Sequence, residues 1–213
     1  MLKMIKLGGS LITDKRVEQS FRADVMSRIA REIATALPSL TESLIIGHVS
    51  GSFGHFAAKR HDTINGVQTA EQWRGFAEVG LVAAELNMLV AGQLWRAGVP
   101  IFHFQSSAAL TSKDGIPHHM PLDNLRKALE NDLIPLVYGD VGFDTVRGGK
   151  PDLLLMSRRT RRSLNVLARA SGSFLEADRD EKGDAPQGRD RDRAGRRLAP
   201  SRSVAVKCSC SEM

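Results

Sequence analysis

The feature that most constrains this chain is a join it repeats: an apolar run of strand length that stops abruptly in glycine or small polar residues. Leu2–Leu7, interrupted only by Lys3 and Lys6, runs into Gly8-Gly9-Ser10. Residues 43–49 run into Ser50-Gly51-Ser52-Phe53-Gly54-His55, and residues 133–138 into Gly139-Asp140. Short apolar runs bounded in this way read as buried strands. Helical patterns lie between them. Residues 22–37 place Val25, Met26, Ile29, Ile33, Ala34 and Leu37 at helical spacing and meet a stop at Pro38. Residues 72–97 carry Phe76, Val79, Val82, Ala83, Leu86, Leu89, Val90 and Leu94, and are closed by Gly98 and Pro100. Ile101–Phe104 reads as another strand and residues 122–131 as another helix. This alternation predicts an α/β fold, a three-layer sandwich around a mostly parallel sheet. Open α/β sheets bind ligands at the carboxyl ends of their strands, so the glycine-bearing joins carry the functional interest.

Composition narrows the class. A chain of 213 residues has ample length for a hydrophobic core, and 42% apolar with 25% charged residues is ordinary for a globular protein. No uninterrupted apolar run approaches the roughly 18 residues of a membrane span. The opening MLKMIKLGGSLITDK has neither the apolar region nor the small-residue cleavage site of a secretory signal. Cys208 and Cys210, separated by a single residue, are poorly spaced for a disulfide, and no Cys or His pair nearby completes a zinc site. A cytoplasmic location is expected.

The net charge of +6 is unevenly spread. Residues 1–146 hold 14 Lys/Arg against 15 Asp/Glu, whereas residues 147–213 hold 16 against 9. The basic character therefore belongs to the tail. Residues 178–202 are rich in Asp, Arg, Gly and Pro with almost no apolar periodicity. They are expected to be disordered, because they cannot bury enough surface to offset chain entropy. Two regions follow: a folded one over 1–147 and a divergent basic one over 148–213, in which residues 153–156 and 163–170 have the composition for one element each.

The joins are suited to anion binding. Lys6-Leu7-Gly8-Gly9-Ser10, followed by Asp14-Lys15, offers paired glycines whose N–H groups can approach phosphate oxygens, with lysines to neutralise them. The same residues also make an ordinary tight turn, and their spacing is not that of a Walker A loop. The cluster from Ser50 to His55, with Lys59 beyond, is a second candidate anion nest. His55 stands where a helix is expected to begin, either as a phosphate contact or as a structural histidine. At Gly139-Asp140 the carboxylate either positions a lysine, orients main-chain donors or simply caps a loop.

In combination these segments resemble the amino acid kinase group. Lys6-x-Gly8-Gly9-Ser10-x-x-x-Asp14-Lys15, Gly51-Ser52-Phe53-Gly54-His55-x-x-Ala58-Lys59 and Tyr138-Gly139-Asp140-Val141-x-Phe143-Asp144 are similar, within that group, to the isopentenyl phosphate kinases. Gly75-Phe76-Ala77-Glu78-Val79 and Leu86-Asn87 are similar too, and the resemblance runs through residues 1 to about 147. His55 is its discriminator, since members acting on carboxylates lack the Gly-His loop.

The resemblance implies ATP-dependent phosphorylation of isopentenyl phosphate to isopentenyl diphosphate, a step of isoprenoid biosynthesis, with Mg²⁺ bridging ATP and a homodimeric assembly. It casts Lys15 and His55 as catalytic: Lys15 would steady the transferring group and His55 the acceptor phosphate. Lys6, Gly8, Gly9, Ser10 and Gly51 would contact the nucleotide, while Ser50, Gly54, His55, Gly139 and Asp140 would border the acceptor. It implies no protein ligand for a metal. The stripe Phe76, Val79, Val82, Ala83 and Leu86 would either wall an isoprenoid pocket or pack a core.

Two departures from that pattern stand out. Ser50 occupies a position where relatives commonly carry glycine. After Arg147 the Asp-x-x-Gly and Thr-Gly-Gly-Met-x-x-Lys type segments of the group's nucleotide half do not follow. The break in composition there is what a change of reading frame would produce, and resequencing the codons for residues 145–155 tests that expectation. The alternative reading is a non-catalytic remnant that keeps the acceptor fold as a binding or dimerisation module. Nucleic-acid binding by the tail is disfavoured, because its arginines are interspersed with Asp and Phe174 is its only aromatic residue.

Overall fold

The structure, a computed structural model, describes residues 2–153 and 174–175, with residues 151–153 and 174–175 described through the backbone alone. The expectations for residues 163–170 and 178–202 lie outside the described residues. The chain runs β1 (Leu2–Leu7), α1 (Gly9–Ile12), α2 (Ala23–Ala36), β2 (Ser43–His48), α3 (Gly51–Arg60), α4 (Ala70–Arg96), β3 (Ile101–Phe104), β4 (Thr111–Lys113), β5 (Ile116–His119), α5 (Asp123–Glu130), β6 (Ile134–Tyr138), β7 (Asp140–Asp144), β8 (Gly148–Leu153) and β9 (Phe174–Leu175).

The main sheet is parallel throughout, in the order β3-β6-β2-β1-β9. Its central strands β2 and β6 are buried on both faces, and alternate residues of the sheet enter two separate cores. Leu7, Leu44, Ile46, Ile134 and Leu136 face α2, α3 and α4 in one cluster. Leu2, Met4, Ile45 and Val137 face the other way, packing with Phe104, Leu110 and Leu125 of α5. These two clusters are the interlayer cores of the expected sandwich.

Helix α4 is the longest element. Thr69 begins it with a capping box, in which its hydroxyl accepts from the Gln72 N–H while the Gln72 side chain accepts from the Thr69 N–H. By length and composition α4 would suffice to cross a membrane, but half of its most apolar window is buried inside the molecule. Phe76, Val79, Val82, Ala83 and Leu86 all lie in the core at 0–6% exposure, so the stripe packs the fold.

The sequence did not reveal a second sheet of order β5-β4-β7-β8, in which β4 and β7 are parallel and the other pairs antiparallel. Its strands are short and largely polar, with weak alternation, so they carry little hydrophobic signal. β6 stops at Tyr138 as expected, but no turn follows it. The Gly139 N–H donates to the His48 carbonyl at 2.8 Å, extending the parallel ladder one residue beyond β6. Asp140 then opens β7, and the chain passes from one sheet to the other without a turn.

Candidate functional site

The strand register brings the three joins to one edge. Lys6 and Leu7 lie opposite Gly47 and His48, and His48 lies opposite Tyr138. The residues that follow each strand, Gly8, Val49 and Gly139, therefore stand side by side at the carboxyl edge of β1, β2 and β6. Helix α3 starts two residues after β2, so the positive end of its peptide dipoles lies at this edge.

Two glycine loops meet there in direct contact. A Cβ on Gly9 would come within 3.0 Å of the Val49 Cγ2 and 3.1 Å of the Gly51 Cα. Gly51 has φ +54, and a Cβ there would fall 2.6 Å from the Thr13 hydroxyl. This left-handed residue turns the chain directly from β2 into α3. The helix accordingly begins at Gly51, and His55, expected at its start, stands in its second turn and is exposed. Gly54 is buried with its α-carbon against Ser50, itself buried.

Thr13 joins the two loops. Its side chain is wholly buried, and its hydroxyl donates to the Gly9 carbonyl at 2.8 Å while accepting from the Ser52 N–H at 3.1 Å. The Ser52 hydroxyl in turn accepts from the Ser20 N–H at 3.2 Å. The sequence places Ser52 in the Gly51–His55 motif without a role and gives no signal for Thr13. A threonine four residues beyond Gly9 has no motif of its own, and its partners Ser52 and Phe21 come to it only through the fold.

Lys6, Ser10, Lys15 and His55 are exposed at or beyond the joins, whereas Gly9, Ser50, Gly139 and Asp140 are buried beneath them. Gly8 is half-buried between the two groups. Asp14 receives Arg16 through both carboxylate oxygens, at 3.0 and 2.7 Å, and that guanidinium holds its carboxyl well below the usual carboxylate range. Asp140 accepts from the Ser107 N–H at 3.0 Å and the Val141 N–H at 2.8 Å, so its carboxylate orients main-chain donors.

Behind the edge lies a buried polar layer. His48 stacks on Tyr138 with 5.8 Å between ring centroids, and its Nε2 faces the Asn87 Oδ1 of α4 at 3.1 Å. Burial, and then the nearby Asp140 carboxylate, push the Tyr138 hydroxyl well above its ordinary value. Where α4 meets β7, Trp73, Phe76 and Phe143 form an aromatic group with centroids 5.3–6.1 Å apart, and Trp73 and Phe143 are partly exposed.

The model of the amino acid kinase family matches residues 1–166. The isopentenyl phosphate kinase of Methanothermobacter thermautotrophicus is 37% identical over 149 residues, 68% of this chain and 55% of that protein. The isopentenyl phosphate kinase of Methanocaldococcus jannaschii is 29% identical over 155 residues, 70% of this chain and 59% of that protein. Among solved structures, an isopentenyl phosphate kinase superposes with a TM-score of 0.65 at 34% identity, covering 71% of this chain and 63% of that one. A substrate complex of an isopentenyl phosphate kinase, at 20% identity, shares the fold with a TM-score of 0.64. The chain thus spans somewhat over half the length of the curated relatives it matches.

Proposed function

The chain belongs to the amino acid kinase family, and on that premise we propose that it serves the transfer of the ATP γ-phosphoryl group to isopentenyl phosphate, giving isopentenyl diphosphate. The observation that carries this reading is the convergence of Gly8–Gly9, Ser50–Gly51 and Gly139 on one sheet edge, with α3 starting there. Two adjoining glycine loops suit two adjoining phosphates, one from each substrate.

In phosphoryl transfer the protein mainly positions the partners and neutralises charge. Lys6 and Lys15 are assigned to the nucleotide phosphates, with Lys15 steadying the group in flight. Gly8, Gly9, Ser10 and Gly51 offer main-chain approach to the same phosphates. His55 donates a hydrogen bond to the acceptor phosphate, which Ser50, Gly54, Gly139 and Asp140 border from below. No general base is needed, because the attacking phosphate oxygen is already ionised. The Asp14 carboxylate is engaged by Arg16 and that of Asp140 by main-chain amides. Mg²⁺ is therefore assigned to the phosphates of ATP, as part of the substrate. Trp73 and Phe143, backed by the buried Phe76, offer an apolar surface for the isoprenoid tail.

A homodimer and a cytoplasmic location belong to the same reading. Leu81, Met88 and Trp95 recur every seven residues on α4 at 70%, 58% and 68% exposure, an apolar stripe suited to a second copy. A coupled assay with ATP, Mg²⁺ and isopentenyl phosphate tests the activity. Phosphate-dependent ADP release supports it; no turnover with acceptor binding retained would favour a non-catalytic binding module.

A further inference from the structure

The Lys15 loop leaves the sheet and returns to it within a few residues. Thr13 and Phe21 form a bridge at its neck, and the Asp14 N–H donates to the Ser20 carbonyl at 2.9 Å. Residues 15–19 beyond that neck are all exposed, so the loop packs little side chain of its own. Two long-range attachments tie the loop to α3. At the base, the Ser52 hydroxyl accepts from Ser20 while the Ser52 N–H donates to Thr13. At the tip, Arg60 Nη1 donates to Glu18 Oε1 at 3.0 Å.

Arg60 is itself held. Its other terminal nitrogen pairs with Glu78 of α4, and the second oxygen of Glu78 meets His61 Nε2 at 2.6 Å. Arg60 and His61 hold the Glu78 carboxyl below its ordinary range, as a pair that stays charged requires. Ser52 and Arg60 are separated by about 12 Å of helix at 1.5 Å per residue. His55 lies on the helix between these two attachments.

We propose that α3 is a splint for the Lys15 loop, with Ser52 holding its base and Arg60 its tip, and that both are positioning residues for the transfer. This rests on the phosphotransfer reading above. One rigid helix would then fix the group on the acceptor and the lysine on the transferring phosphoryl relative to each other. The Arg60 pairs are half-exposed, so their worth lies in the geometry they fix more than in stability.

The test compares Arg60→Ala, Arg60→Lys and Ser52→Ala with the unaltered chain, by hydrogen exchange of the 14–20 amides and by steady-state kinetics with ATP and isopentenyl phosphate. Arg60→Ala is expected to speed exchange of the loop amides about tenfold and to lower kcat by a similar factor, with KM for isopentenyl phosphate held within about twofold. Arg60→Lys, which keeps the charge but not the fork between two carboxylates, is expected to recover part of both effects. Unchanged loop exchange in both alanine variants overturns the splint, as does a rise in KM with kcat intact. Absence of turnover in the unaltered chain would count against the phosphotransfer reading alone, and the exchange comparison would still decide the splint.

Discussion

Ser52 donates its main-chain N–H to the buried hydroxyl of Thr13 at 3.1 Å, so loops 39 residues apart in sequence share one oxygen. The same hydroxyl donates to Gly9, which makes Thr13 the spacer between the two glycine loops. Thr13→Val keeps the shape but strands the buried Ser52 N–H, while the Gly9 carbonyl keeps the Thr13 main-chain N–H at 2.8 Å. It is expected to cost about 1–3 kcal/mol in chemical denaturation, and Thr13→Ser, which keeps the hydroxyl, clearly less. Equal losses in the two variants would assign the effect to the methyl group.

Gly51 fills a space that Thr13 leaves only to a hydrogen. Gly51→Ala would combine a left-handed φ of +54 with a Cβ 2.6 Å from the Thr13 oxygen and 2.8 Å from its methyl. The neighbouring hydroxyl is fixed by two hydrogen bonds and cannot swing aside without breaking them. A loss of about 2–4 kcal/mol is expected, summing backbone strain and overpacking. A melting temperature within a degree of the unaltered chain would contradict this account of the loop contact.

The main sheet was legible in the sequence because its central strands β2 and β6 are buried on both faces and β1, β2 and β6 run into glycine-bearing joins. Leu44, Ile45, Ile46 and the Gly51 turn carry that signal without help from the rest of the fold. The second sheet was not, since Ser112 and Asp144 earn their places through each other rather than through any periodic pattern. The same contrast holds at the site. Gly9, Gly51 and His55 belong to dense local motifs, whereas Thr13 and Arg60 act across 39 and 42 residues and have no local signature, and Ser52 has its motif but no signal there of its partners.

Asp144 holds the second sheet together. It is 4% exposed and accepts from the Ser112 hydroxyl and from the amides of Asp114, Gly115, Val146 and Arg147. Burial alone would raise its pKa, but these donors outweigh burial and hold the carboxyl well below the ordinary carboxylate range. A folded-state pKa below the unfolded one gives stability that is full above about pH 4 and is lost as the pH falls towards the folded value. Asp144→Asn is therefore expected to cost about 2–3 kcal/mol at neutral pH, and to flatten the acid limb of the stability profile. Parallel acid limbs in the two proteins would show that Asp144 does not contribute to it.

His55 separates stability from chemistry. Its side chain is exposed in the second turn of α3, away from the buried face formed by Phe53, Ala57 and Ala58. His55→Ala should leave the denaturation midpoint almost unmoved, within about 0.5 kcal/mol, as surface substitutions usually do. If the imidazole donates to the acceptor phosphate as proposed, kcat/KM for isopentenyl phosphate should fall by about 10²-fold or more, the loss typical of an oriented donor to developing charge. His55→Gln, which retains an N–H donor of similar reach, should recover part of it. Full activity in the alanine variant would remove the histidine from the mechanism and leave acceptor binding to the border of Ser50, Gly54, Gly139 and Asp140.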